Sequence, residues 1–269
     1  MPGSRILCLL AVLLSVPAWA GAPVESNELN WLIKPEGSPR AGERRQKPPE
    51  AFARIQADGN FVPPRLAEGD AARLLQAIAT QDKATAKALL DRGVTPNGRD
   101  YWGDSPLMAA VRQDSIELVQ VLLDAGATTE VAWRGYTPLA MAVINNNRPI
   151  ARLLLRAGAN PDRKMTDGDT PLHAAVRRGH VEMVAVLAAA RPDFRRYDVD
   201  GRTALGLAAT LAQYDIATIL IEHGAPIEIG NKYAHSPLWL ANAFNDPKML
   251  RLLLEHGADP RDISLESLN

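Results

Sequence analysis

The feature that most constrains this chain is a triplet that returns at a fixed interval. Ser105-Pro106-Leu107, Thr137-Pro138-Leu139, Thr170-Pro171-Leu172, Thr203-Ala204-Leu205 and Ser236-Pro237-Leu238 follow one another at offsets of 32, 33, 33 and 33 residues. A second marker, two aliphatic residues and then a glycine, keeps the same phase at Leu89-Leu90 to Gly93, Leu122-Leu123 to Gly126, Leu154-Leu155 to Gly158, Leu220-Ile221 to Gly224 and Leu253-Leu254 to Gly257. Two independent markers on one period mean a small unit repeated about six times, which cannot bury its apolar side alone and must stack on its neighbours.

The local physics of one unit follows from the same residues. The Ser or Thr caps a first helix, its hydroxyl taking an orphan backbone N–H, and the Pro fills the first helical position, where no N–H is needed. Small residues follow on that helix (Ala109-Ala110, Ala142, Ala174-Ala175, Ala208-Ala209) and let neighbouring units approach closely. Ile116, Val119, Leu122 and Leu123 give the second helix a stripe at helical spacing. The glycine ends that helix in a left-handed conformation, and Ala159-Asn160-Pro161 or Ala258-Asp259-Pro260 turns the chain back.

The fourth unit, Gly168-Asp169-Thr170-Pro171-Leu172-His173-Ala174-Ala175 with Gly179-His180 after it, resembles the ankyrin consensus. The resemblance covers roughly Gly69 to Asp259. It implies an all-α solenoid of about six helix-turn-helix units with β-turn fingers, at about 70–99, 100–131, 132–164, 165–197, 198–230 and 231–263, within a domain spanning 69–269. It also implies a concave face, made of finger tips and first helices, on which a protein partner sits.

Departures from the pattern carry expectations of their own. Unit one lacks the Thr-Pro signature, as suits an N-terminal cap facing water. In unit four Arg191-Pro192-Asp193 replaces the terminal glycine, so its second helix is expected to end by proline, with an irregularity before unit five. Pro149 and Pro247 stand at the start of second helices, where proline is tolerated. Beyond the last helix, Ile263, Leu265 and Leu268 are expected to form a lid or an exposed patch.

The N-terminus reads differently. Arg5, the 11-residue apolar run Ile6 to Val16, Pro17 and then Ala18-Trp19-Ala20 have the order of a secretory signal peptide cleaved after Ala20. The run is too short for a stable membrane span, which needs about 20 residues. Cys8 would leave with it, so the mature chain would have neither disulfide nor thiolate chemistry. The 30 Lys+Arg would become 29 against 31 Asp+Glu, a balance that does not match nucleic acid. Composition points to the periplasm, with the extracellular medium as the alternative. Residues 21–68, rich in Pro, Arg, Glu and Gly, read as a flexible leader in which Glu28 to Ile33 and Ala51 to Gln56 are the patches able to order.

Aligned on the capping residue, the finger positions hold five of the nine Trp and Tyr of the mature chain: Tyr101, Trp102, Trp133, Tyr136 and Tyr233. Exposed rings cost solubility unless a partner covers them, and Trp, Tyr and Arg dominate binding hot spots. Fingers two and three are therefore the leading contact site; the alternative is that each ring lies back on its neighbour and stiffens the array. The candidate partner-binding set is Tyr101, Trp102, Asp104, Arg112, Trp133, Arg134, Tyr136, Asp169, Arg177, Arg178, Tyr233 and His235. Its charges are expected mainly to pair with one another across the groove and to contribute little.

Catalysis is not expected. His223 and His256 occupy equivalent positions in adjacent units, about 8–10 Å apart by helix packing, too far to share a metal. His173 and His180 match structural positions of the family, and no phosphate loop, nucleophile triad or paired-cysteine site is present. No cofactor or metal is expected. The expected activity is capture of one exported protein by a monomer; a secreted effector acting on a host protein, or an envelope element, is the alternative.

Overall fold

The computed structural model describes residues 54–55, 61–62, 69–99 and 103–263, all within the unit Pro49–Asn269. The signal segment 1–20, most of the leader, Tyr101 and Trp102, and Leu265 and Leu268 lie outside the described residues. In the leader, β1 (Arg54–Ile55) and β2 (Phe61–Val62) pair antiparallel, Arg54 opposite Val62 and Ile55 opposite Phe61.

Twelve α-helices follow among the described residues, in six pairs. They are α1 (Asp70–Ala79) with α2 (Lys83–Asp91), α3 (Pro106–Arg112) with α4 (Ile116–Asp124), and α5 (Pro138–Ile144) with α6 (Arg148–Arg156). Then come α7 (Pro171–Arg177) with α8 (Val181–Ala189), α9 (Ala204–Thr210) with α10 (Tyr214–Glu222), and α11 (Pro237–Ala243) with α12 (Pro247–Glu255). A 3₁₀ turn, Pro260–Asp262, packs on α11, and Ile263 beyond it is buried. Every first helix packs on its own second helix and on the first helices of adjacent units, and second helices likewise stack on second helices. None of these helices is long and apolar enough to cross a membrane.

The caps do what the triplet requires. Ser105, Thr137, Thr170, Thr203 and Ser236 accept from the backbone N–H three residues on, at 3.0–3.4 Å. Gly69, before α1, has no such side chain, in keeping with unit one's missing signature. Leu122, Leu154, Leu187, Leu220 and Leu253, one in each second helix of units two to six, are fully buried. Each contributes about 1.5–3 kcal/mol by leaving water, but only because the adjacent unit closes over it.

Two left-handed turns recur in every unit. One joins the helices, at Gln81, Asp114, Asn146, Gly179, Ala212 and Asn245; the other ends the second helix, at Gly93, Gly126, Gly158, Gly224 and Gly257. In unit four Arg191 holds the second of these positions with φ 53°. The expected irregularity is therefore smaller than a broken turn. The left-handed residue is kept without glycine, and what disappears is one hydrogen bond. Ala127, Ala159, Ala225 and Ala258 donate back to Leu122, Leu154, Leu220 and Leu253 at 2.9–3.0 Å, whereas Pro192, in the same place, has no N–H.

Neighbouring units are also tied on the loops that follow the second helices. Thr128 N–H donates to Asn97 Oδ1 (2.8 Å), Asn160 to Glu130 (2.9 Å), Asp193 to Asp162 (2.9 Å) and Asp259 to Glu228 (3.3 Å). The rung due between units four and five does not form. Its acceptor position is Arg195, a cation, and its donor position is Pro226.

Candidate protein-binding face

The fingers are short hairpins built on one another. Trp133 and Tyr136 exchange both backbone bonds (2.9 and 3.0 Å) around Arg134 and Gly135, each with positive φ. In the next two fingers Met165 donates to Asp169 and Asp198 to Arg202, each over a loop one residue longer. A Cβ on Gly135, Gly168 or Gly201 would meet Thr166, Val199 or Lys232 of the following finger, so each tip rests on the glycine before it.

This register places Trp133 somewhere the capping alignment does not. The residue missing from the 32-residue offset lies in finger three, between Trp133 and Thr137. Counted from the other side, Trp133 shares a position with Met165, Asp198 and Asn231, and all four are buried. Trp133 is 9% exposed, with the Arg112 and Arg134 guanidiniums each 4.7 Å from its ring centroid. It is a finger base that two cations cover, worth about 0.5–2 kcal/mol per contact, and not a projecting tip.

The charges pair as the groove arrangement allows. Arg112 Nη2 lies 2.5 Å from buried Asp104. Arg177 forks onto buried Asp169 (3.0 and 3.2 Å) and reaches Asp198 of the next unit at 3.1 Å. Arg202 donates to the same oxygen, Asp198 Oδ2, at 3.1 Å, its backbone N–H donates to Oδ1 at 2.7 Å, and its guanidinium also binds Asp200. Asp198, absent from the sequence-derived set, is thus the centre of the network. Its place in a buried finger-base column was the signal, since a carboxylate there needs cations. Beside it His173 is buried and shares a 2.8 Å hydrogen bond with the Thr170 hydroxyl. Burial pushes the His173 imidazole below its ordinary value of 6.5, against the opposing pull of Asp198 and Asp169. Arg178 remains exposed, its guanidinium donating to the Ala174 carbonyl. Tyr136 is half-buried, and desolvation, followed by the Asp167 charge, raises its phenol.

The apolar surface left open lies further along. Val199 (62%) and Tyr233 (67%) are the most exposed large hydrophobic residues described. His235 stacks on Trp239 at 3.8 Å and 10°, and Lys232 lies 5.1 Å from the Tyr233 ring. Trp239, half-buried at the position that His173 fills in unit four, was not among the candidates. His223 and His256 bond the carbonyls of Ile219 and Leu252 in their own helices (2.8 and 2.7 Å). Among the described residues no group of three or more His, Asp or Glu is gathered as metal ligands would be.

Stacked helix pairs with hairpin fingers, one ridge of paired charge and one of open apolar surface, define a helical-repeat recognition protein. The family model for ankyrin repeats (3 copies) matches residues 74–165, 158–232 and 197–264, and the chain belongs to the ankyrin-repeat family. It is similar to human SH3 and multiple ankyrin repeat domains protein 2, at 30% identity over 57% of this chain and 10% of that protein. It is also similar to the Xenopus tropicalis neurogenic locus notch homolog protein 1, at 33% over 54% and 6%. The chain thus spans a tenth or less of these relatives. Among solved structures, an ankyrin repeat domain from Acinetobacter baumannii AYE superposes with TM-score 0.63 at 30% identity, covering 70% of this chain and 98% of that one. The human ASB11 ankyrin repeat domain gives 0.54 at 26%, covering 72% and 87%. Ankyrin repeats are in general protein-binding modules without catalytic function.

Proposed function

We propose that this chain is an exported, monomeric module that captures one protein partner on its fingers and first helices, with the contact centred on units five and six and without catalysis of its own. The observation that carries this reading is the pair of open apolar tips, Val199 and Tyr233, on successive fingers beside the Trp239–His235 stack. Hot spots need a large apolar or aromatic group that a partner can desolvate, and Trp133 is already covered within the chain. Arg134, Arg178 and Lys232, all exposed, supply the polar rim that steers and registers a partner. Export rests on the 1–20 segment, and the periplasm is the proposed compartment.

Affinity capture with the mature protein tests the contact. The Val199→Ser/Tyr233→Ala variant is expected to lose at least tenfold of the retained partner while unfolding as wild type does. Equal retention by both proteins refutes the site. Export is tested separately by sequencing the N-terminus of the protein recovered from a Gram-negative host. A chain starting at Gly21 in the periplasmic fraction is the expected result, and an intact N-terminus in the cytoplasm is the contrary one.

A further inference from the structure

The second helices carry a groove of their own. Between α4 and α6, Ile116, Val121, Pro149 and Leu153 floor an open groove of about 540 Å³, with Arg152 and Arg156 along one side. Ile116 is 40% exposed, an unusual position for an isoleucine. The groove's own carboxylate, Glu117, is engaged by Lys83 at 3.4 Å, and Gln120 donates to Asp124 at 2.7 Å. On α6 the cations recur every fourth residue, at 148, 152 and 156. Arg148 pairs with Glu182 at 3.9 Å, while Arg152 and Arg156 have no carboxylate within 4.0 Å among the described residues. The two guanidiniums stand one helical turn apart beside an apolar trough, whose volume falls within the roughly 300–1,000 Å³ of ordinary ligand sites.

We propose that this groove docks an acidic, apolar protein segment, an aliphatic side chain seated on Ile116 and Leu153 with flanking carboxylates on Arg152 and Arg156. Charge complementarity selects that occupant. A basic segment would face two unneutralised cations, and an uncharged one would leave both without partners. Arginine also accepts a carboxylate through two parallel hydrogen bonds, which fixes register as well as sign. Because the pairs form at a solvated rim, the contact weakens as salt is raised.

The test is a selection of displayed short random peptides on the full chain, followed by binding of the enriched peptides to variants. Enrichment of Asp or Glu around Leu, Ile or Val is expected. Affinity should fall about tenfold or more in both Arg152→Glu/Arg156→Glu and Ile116→Asn, and stay unchanged in Val199→Ser/Tyr233→Ala. Arg152→Gln/Arg156→Gln replaces the charge-reversed variant should circular dichroism show that it does not fold. Enriched peptides without that pattern, no enrichment at all, or binding indifferent to the α6 and Ile116 changes overturns the proposal. Peptides lost only in the Val199/Tyr233 variant belong to the finger face, so failure here is distinguishable from failure of the function proposed above.

Discussion

Single residues in this array are held in conformations that their side chains do not favour. Ala212 takes φ 53° in the turn between α9 and α10, where unit four has Gly179. The left-handed conformation costs an L-residue about 1–2 kcal/mol, so Ala212→Gly should raise the urea-unfolding free energy by about 1 kcal/mol. A lower value would mean that glycine's added freedom in the unfolded chain outweighs the relief. His173 supplies a second prediction. Its pKa in the folded protein is depressed, so below the ordinary value of 6.5 the unfolded chain binds the proton more readily than the folded one. The stability contributed by the neutral ring is full above that value and is lost as pH falls below it. Unfolding curves at about pH 7.5 and 5.5 should show a drop that is smaller in His173→Asn. Both residues sit in columns of the repeat and could be found by alignment. What the sequence hid was which end of finger three had lost a residue. Capping residues align Trp133 with tips, whereas the backbone ladder aligns it with Met165 and Asp198.

At the scale of helices and fingers, stacking depends on places where no side chain fits. A Cβ on Gly206 would lie 2.0 Å from the Gly230 carbonyl oxygen, and that backbone is fixed by bonds from Thr203 N–H (2.9 Å) and the Thr203 hydroxyl (3.2 Å). Gly206→Ala should therefore destabilise by about 1–3 kcal/mol, although alanine is the better helix former; a neutral or stabilising result would show that unit six can shift to make room. The helices were legible because capping hydroxyls, prolines and aliphatic spacing are local signals. The α9–finger six contact was not, because it depends on a glycine whose only requirement is a backbone 24 residues later. The pairing of Arg54–Ile55 with Phe61–Val62 escaped because prolines flank the stretch on both sides and two-residue strands are too short to show an alternating pattern.

Across the whole array, units four and five are joined unlike the others. Their loop rung is missing at Arg195 and Pro226, and the ionic finger network of Arg177, Asp198 and Arg202 spans the same junction. Repeat stability is a sum of unit and interface terms, so weakening one interface should split the transition. Arg177→Met leaves buried Asp169 and Asp198 short of a cation. It is expected to cost about 2 kcal/mol, less than for a fully buried pair because Arg177 is one-third exposed. Hydrogen exchange should then show amides of α9 to α12 opening at lower free energy than those of α3 to α8; uniform loss over all six units would mean that the junction is not a weak plane. The loop rungs have a last consequence, for how such a chain can change length. Each joins a residue to one 30 or 31 positions later, so its donor and acceptor are addressed only to the next unit. A tandem copy of one period would arrive already wired to its new neighbours, whereas a copy taken across Arg195 and Pro226 would inherit the gap and give the longer protein a second seam.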